Sequence, residues 1–170
     1  MTRHEEDSDY QHIVVGVDDS PQSEAAVRWA AAQAVLAHAE LRLVHAWPLE
    51  PSDMYGSTAE IRADVLPDLR ARLTDMVTTA IGPSSDHLPW TLEIIQGAPG
   101  PILVELARSA RLLVLGTGEH AGVRRLVKGS VSHYCLSHAQ GPVVAVPMQA
   151  QSPLASASSR PVSMTGTPPS

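Results

Sequence analysis

The residues with the clearest capacity for chemistry lie in one stretch, GTGEHAGVRRLVKGSVS, running from Gly116 to Ser132. Gly116 and Gly118 permit close approach of a ligand or another backbone, and Gly129 leads into Ser130 at an expected helix start. Free N–H groups and the positive end of the helix dipole at such a start favour a phosphate. Arg124, Arg125 and Lys128 add positive charge nearby. An ordinary strand-to-helix loop with solvated bases would look the same, and these residues alone leave both readings open.

Competing chemistries fit less well. A Walker A loop needs Gly-Lys followed by Ser or Thr, whereas the chain has Lys128, Gly129, Ser130 in another order. GTGEHA fits the short dinucleotide pattern GxGxxG/A and keeps an NAD-dependent oxidoreductase as an alternative. That pattern belongs after a first strand with an acid about 20 residues on, and no acid follows Glu119. VVGVDDS is faintly similar to the SGGxDS loop of adenylating ATP pyrophosphatases, but lacks its serine and paired glycines. His133, Cys135 and His138 suggest a metal, yet on a helix the two histidines point about 140° apart, so no metal site is expected. No GxSxG or HExxH pattern occurs, and no catalytic residue is assigned. His45 is expected to be a satisfied structural histidine within a strand, and Cys135 a buried small hydrophobe.

The elements that must position this loop are legible from apolar periodicity. HIVVGV (12–17) is a continuous apolar run, as expected for a strand covered on both faces. It ends in DDSP, where Ser20 is expected to cap a helix with Pro21 at its first position and Glu24 in its first turn. Ala26, Trp29, Ala30, Ala34 and Ala37 then form a small-residue stripe suited to close packing on a sheet. LRLVHAW (41–47) is the second expected strand. Ile61, Val65, Leu69, Met76 and Ala80 keep a helical period, with Pro67 expected to kink that helix or start it. WTLEIIQ (90–96), RLLVLG (111–116) and PVVAVP (142–147) are strands three to five, with a short helix after GAPGP and another from Ser130.

Five strands with intervening helices predict an α/β fold, a doubly wound five-stranded parallel sheet in a single domain. Ligands in such sheets sit beyond the carboxyl ends of the strands at the topological switch. If strands one and four are neighbours, the DDS turn and the Gly116 loop lie side by side.

Composition bounds the rest. At 170 residues one domain is expected, between 12 and 147, with polar, disordered tails at 1–11 and 148–170. A net charge of -6 argues against wholesale wrapping of nucleic acid or adhesion to an anionic membrane. Residues 120–170 nonetheless hold Arg124, Arg125, Lys128 and Arg160 and no carboxylate, so that segment suits an anion. The lone Cys135, the acidic start without an apolar secretory region, and the absence of a bilayer-length apolar run make the cytoplasm the expected address.

VVGVDDS, LVLGTGEHAG, KGSVSHYCLSHA and GPVVAVP, in that order over nearly all of 12–147, resemble the universal stress protein family. The resemblance implies an adenine nucleotide alpha hydrolase-like fold and a regulatory module in stress response that binds ATP, with slow hydrolysis at best. Mg²⁺ would accompany ATP, and AMP or cyclic AMP are further candidates. The family's nucleotide-binding branch carries glycine, two residues, glycine, nine residues, glycine, then serine or threonine. Gly116, Gly129 and Ser130 match that pattern, but Glu119 stands at the second glycine position. At 4 Å and an effective dielectric of about 20, two like charges cost roughly 4 kcal/mol, enough to abolish micromolar binding. Gly118 is a possible substitute, and Arg124 or Arg125 possible partners for the carboxylate. By the same resemblance Gly16 and Asp18 would lie near the adenosine, and Ala46 and Leu115 would line the adenine pocket. Val131 and Ser132 would continue the phosphate turn. The resemblance also implies a homodimer through strand five. The alternative it leaves is a sister type that has lost nucleotide binding and acts through protein contacts.

Overall fold

The computed structural model describes residues 12–47, 58–83, 87–117 and 131–148, with side chains in the second helix described from Val65 onward. Nine elements alternate along the chain: β1 (His12–Gly16), α1 (Pro21–Ala37), β2 (Glu40–Trp47), α2 (Thr58–Ile81), β3 (Trp90–Gln96), α3 (Pro99–Ala107), β4 (Leu112–Thr117), α4 (Val131–His138) and β5 (Val143–Pro147). The strands form one parallel sheet in the order β3-β2-β1-β4-β5. The direction of winding reverses between β1 and β4, which are neighbours as the site argument requires. Register pairs Gly16 with Val44 on one side and with Leu115 on the other, so β1 ends first and β2 and β4 run past it.

The period of two divides the sheet residues between two cores. Ile13, Val15, Leu41, Leu43 and Val114 pack under α1 and α2, while Val14, Val44, Leu113 and Leu115 pack under α3 and α4. α1 buries Ala26, Val27, Ala30, Ala31 and Ala34, and these small side chains let the helix lie close against the sheet. Its start is as expected: Ser20 is the N-cap, and its Oγ accepts from the Ser23 N–H at 3.2 Å.

Two details of α2 differ from the expectation. The helix does not start at Pro67, one of the two expected outcomes, but runs through it from Thr58 to Ile81. Pro67 is exposed, so water can satisfy the carbonyl that loses its N–H donor. Val65 is also exposed, at 41 %. The buried stripe begins at Leu69 and continues through Leu73, Val77 and Ala80.

The α3–α4 side of the sheet leaves part of β2 and β3 open, and charge takes the place of a core there. Arg42 of β2 forks onto Glu93 of β3, with Nη2 donating to Oε2 at 3.0 Å and Nε to Oε1. The hydrogen bond from Arg42 holds the Glu93 carboxyl below its ordinary value, and the bond to Glu93 raises Arg42. A depressed carboxylate contributes stability above its unfolded value and loses it as pH falls through the folded one. That contribution is therefore full at neutral pH and is lost below about 4.5, the ordinary value. Glu93→Gln is expected to cost up to about 1 kcal/mol at pH 7, because both side chains are partly solvated. Urea titrations should show the cost shrinking as pH drops below the carboxylate range.

α4 docks on α3 through Gly100. A β-carbon there would meet the Tyr134 ring at 2.5 Å, and Cys135, fully buried beside it, points its Sγ at the Gly100 carbonyl at 3.9 Å. Burial raises the Cys135 thiol to about 11, which agrees with the expected buried hydrophobe rather than a reactive thiol.

Candidate functional site

A cleft of about 180 Å³ opens at the carboxyl ends of β1, β2 and β4. Each strand brings its own part of the wall. β1 delivers Gly16, Val17 and Asp18, β2 delivers Val44, His45 and Ala46, and β4 delivers Leu115 and Gly116. Three helices begin at the cleft: Ser23 from the first turn of α1, Pro99 and Leu103 from α3, and Val131 and Ser132 from α4. The partial positive charge at a helix start suits an anionic ligand, although Pro21, Pro99 and Pro101 carry no N–H and the Ser23 N–H is taken by the Ser20 cap. The volume falls below the ~300 Å³ at which whole small-molecule sites begin, so the described walls enclose only part of a site of that size.

Hydrogen bonds fix the exit of β1. The Val17 N–H donates to the Val44 carbonyl at 2.9 Å, extending the β1–β2 ladder by one residue. The Val17 carbonyl accepts from His45 Nδ1 at 2.8 Å. The Asp18 N–H donates to Ser23 Oγ at 2.8 Å, and the Asp18 carboxylate accepts from the Ser20 hydroxyl. Asp19, the neighbouring acid, points the other way and pairs with Arg72 of α2 at 3.2 Å.

On the opposite wall the Ser132 hydroxyl donates to the Gly116 carbonyl at 3.2 Å, tying the first turn of α4 to the end of β4. The two glycines on the described walls have packing reasons of their own. A β-carbon on Gly116 would lie 2.5 Å from the Gln22 carbonyl carbon in the first turn of α1. One on Gly16 would lie 2.7 Å from Leu115 Cδ2 and 3.0 Å from Leu103 Cδ1.

Of the residues expected at the site, Gly16, Asp18, Ala46, Leu115, Gly116, Val131 and Ser132 line this one cleft. Gly118, Glu119, Gly129 and Ser130 lie outside the described residues, as do Arg124, Arg125 and Lys128. His45 has its ring nitrogen satisfied, as expected, and the carbonyl it meets belongs to the wall. Sequence reasoning missed Val17, Ser23, Val44, Pro99 and Leu103 as wall residues and read His45 only as a structural histidine. The signal for Ser23 was its place three residues after the N-cap, where a side chain reaches back to the preceding backbone. Pro99 stood in the GAPGP turn, read only as a helix start. His138 donates from Nδ1 to the Tyr134 carbonyl at 2.8 Å and stacks on the Tyr134 ring, with centroids 4.1 Å apart.

No helix among the described residues is long and apolar enough to cross a membrane. Comparison with known proteins gives the same picture as the topology. Universal stress protein Rv2623 of Mycobacterium tuberculosis is 37% identical over 147 residues, covering 79% of this chain and 46% of that protein. A universal stress protein of Mycolicibacterium smegmatis is 31% identical over 141 residues, covering 79% of this chain and 47% of that one. The chain thus spans about half the length of the curated relatives it matches. Among solved structures, a universal stress protein in complex with cAMP is 29% identical with a TM-score of 0.58, covering 82% of this chain and 98% of that one. A model of the universal stress protein family matches residues 9–147. That match spans β1 to β5 and every described wall of the cleft, and the chain belongs to the universal stress protein family.

Proposed function

We propose that this domain is a regulatory module that binds an adenine nucleotide, ATP with Mg²⁺ foremost, in the cleft between β1 and β4. The observation that carries the reading is the convergence of Gly16, Asp18 and Ala46 with Leu115, Gly116, Val131 and Ser132 on one cleft at the switch point. The base and ribose would lie toward Asp18 and Ala46. The phosphates would run toward Gly116 and Ser132, where α4 begins, and on toward Gly118, Glu119, Gly129 and Ser130. A related protein of the same family was crystallised with cAMP, which supports a site for an adenine ring, and AMP and cyclic AMP remain alternative ligands.

Binding rather than turnover fits the acids. Asp19 is paired with Arg72 and Asp18 accepts from Ser20, so each acid already has a partner within the chain, and no catalytic base is assigned. Mg²⁺ would arrive on the triphosphate. The test is to heat-denature the purified chain, identify any released nucleotide, and titrate the stripped protein with ATP, AMP, cyclic AMP and NAD. Saturable binding of an adenine nucleotide supports the reading; preference for NAD favours an oxidoreductase; no binding favours the sister type acting through protein contacts.

The partner we propose is a second copy, joined through β5 in the cytoplasm. β5 is an edge strand whose Val143, Val144 and Val146 are only half-buried. At the other edge Arg70 donates to the Leu92 carbonyl of β3 at 3.1 Å, occupying an acceptor that a second strand would use. A monomeric mass by light scattering would refute the dimer.

A further inference from the structure

The peptide that joins Val17 to Asp18 has both of its hydrogen-bonding groups taken by side chains. Its carbonyl accepts from His45 Nδ1 on β2 at 2.8 Å, and its N–H donates to Ser23 Oγ on α1 at 2.8 Å. A peptide unit is planar, so gripping it at both polar ends fixes its rotation, and with it ψ of Val17 and φ of Asp18. Ser23 is 3 % exposed and is itself tied through its own N–H to the Ser20 N-cap. The preceding N–H, on Val17, is held by Val44. Past this clamp comes the Asp18 side chain, which accepts from the Ser20 hydroxyl and projects from an exposed residue on the cleft wall. A carbonyl cannot donate, so Nδ1 carries the hydrogen and Nε2 of the neutral ring is bare.

We propose that His45 is a positioning residue of the site: with Ser23 it clamps the Val17–Asp18 peptide and so fixes the direction in which Asp18 meets the nucleoside. This rests on the nucleotide reading given above. A histidine that served stability alone would satisfy any nearby acceptor; this one takes the carbonyl of the peptide that orients the ligand-facing acid.

The test combines ring-nitrogen NMR of the full-length chain with ATP titration of variants. In the neutral ring, His45 should show a protonated Nδ1 and a bare Nε2; the opposite tautomer overturns the clamp whatever the binding result. His45→Ala should weaken ATP about three- to tenfold, the worth of one ordinary hydrogen bond. His45→Asn should restore binding, because its amide nitrogen stands as many bonds from the backbone as Nδ1, and His45→Gln should not. In an Asp18→Asn background, His45→Ala should add nothing further, since the two act as one unit. Equal losses with and without Asp18, or rescue by Gln as good as by Asn, overturn the positioning role while leaving nucleotide binding standing. Failure of the parent chain to bind any nucleotide overturns the nucleotide reading and the positioning role together, and leaves the tautomer to report on the clamp alone.

Discussion

Gly116→Ala is expected to lower the thermal midpoint of the chain by several degrees before it alters any ligand contact. The added β-carbon would stand 2.5 Å from the backbone carbonyl carbon of Gln22, and backbone in the first turn of a helix cannot swing aside as a side chain can. α1 would have to shift, and α1 carries Ala26, Val27, Ala30 and Ala34 of the larger core. Overpacking of this kind costs about 1–3 kcal/mol. For a chain of this size, each kcal/mol lowers the midpoint by roughly 2–4 °C. Gly16→Ala is a milder case, because its new contacts are with the ends of Leu115 and Leu103 side chains. A scan that found Gly116→Ala as stable as the parent but unable to bind nucleotide would show that ligand approach, not the seating of α1, requires this glycine.

Glu119→Gly is expected to tighten ATP binding by about tenfold or more while changing AMP binding little. The residue stands where the family motif has its second glycine, in the stretch between Gly116 and Ser130. Its charge opposes a triphosphate by up to roughly 4 kcal/mol at 4 Å, a bound that water and salt reduce. A monophosphate carries less charge and ends earlier, so the ratio of ATP to AMP affinity is the sensitive quantity. An unchanged ratio, measured by parallel titrations of parent and variant, would mean that the Glu119 carboxylate does not oppose the phosphates. The loop would then be intact despite its altered motif.

These two positions also show how far the sequence could be read. The sheet was legible because its signals are local: the apolar run from His12, the Ser20-Pro21 helix start and the alanine stripe of α1 each dictate an element without reference to the rest of the chain. Adjacency of β1 and β4 is a long-range fact that residue spacing does not contain; from the sequence it could only be assumed. Within α2, Pro67 left a kink and a start equally open, because a proline on the solvent face costs one hydrogen bond that water replaces, and periodicity around it gave Val65 the wrong side.

At the site, the sequence pointed to residues that match a motif, and gave no sign of those that act through geometry. Gly116 stood out in the sequence as a phosphate glycine, yet its nearest constraint is the start of α1, 94 residues earlier in the chain at Gln22. Ser23 drew no reading from the sequence, and His45 was visible only as a strand histidine. Their common target, one peptide between β1 and α1, exists only after three elements have come together.

The central claim is that the cleft between β1 and β4 holds an adenine nucleotide, and calorimetric titration of the nucleotide-stripped full-length chain with Mg-ATP tests it most directly. The account predicts saturable binding at one site per chain, displaced by AMP and lost in Asp18→Ala. No saturable heat up to millimolar ATP, or binding indifferent to Asp18→Ala, would contradict it.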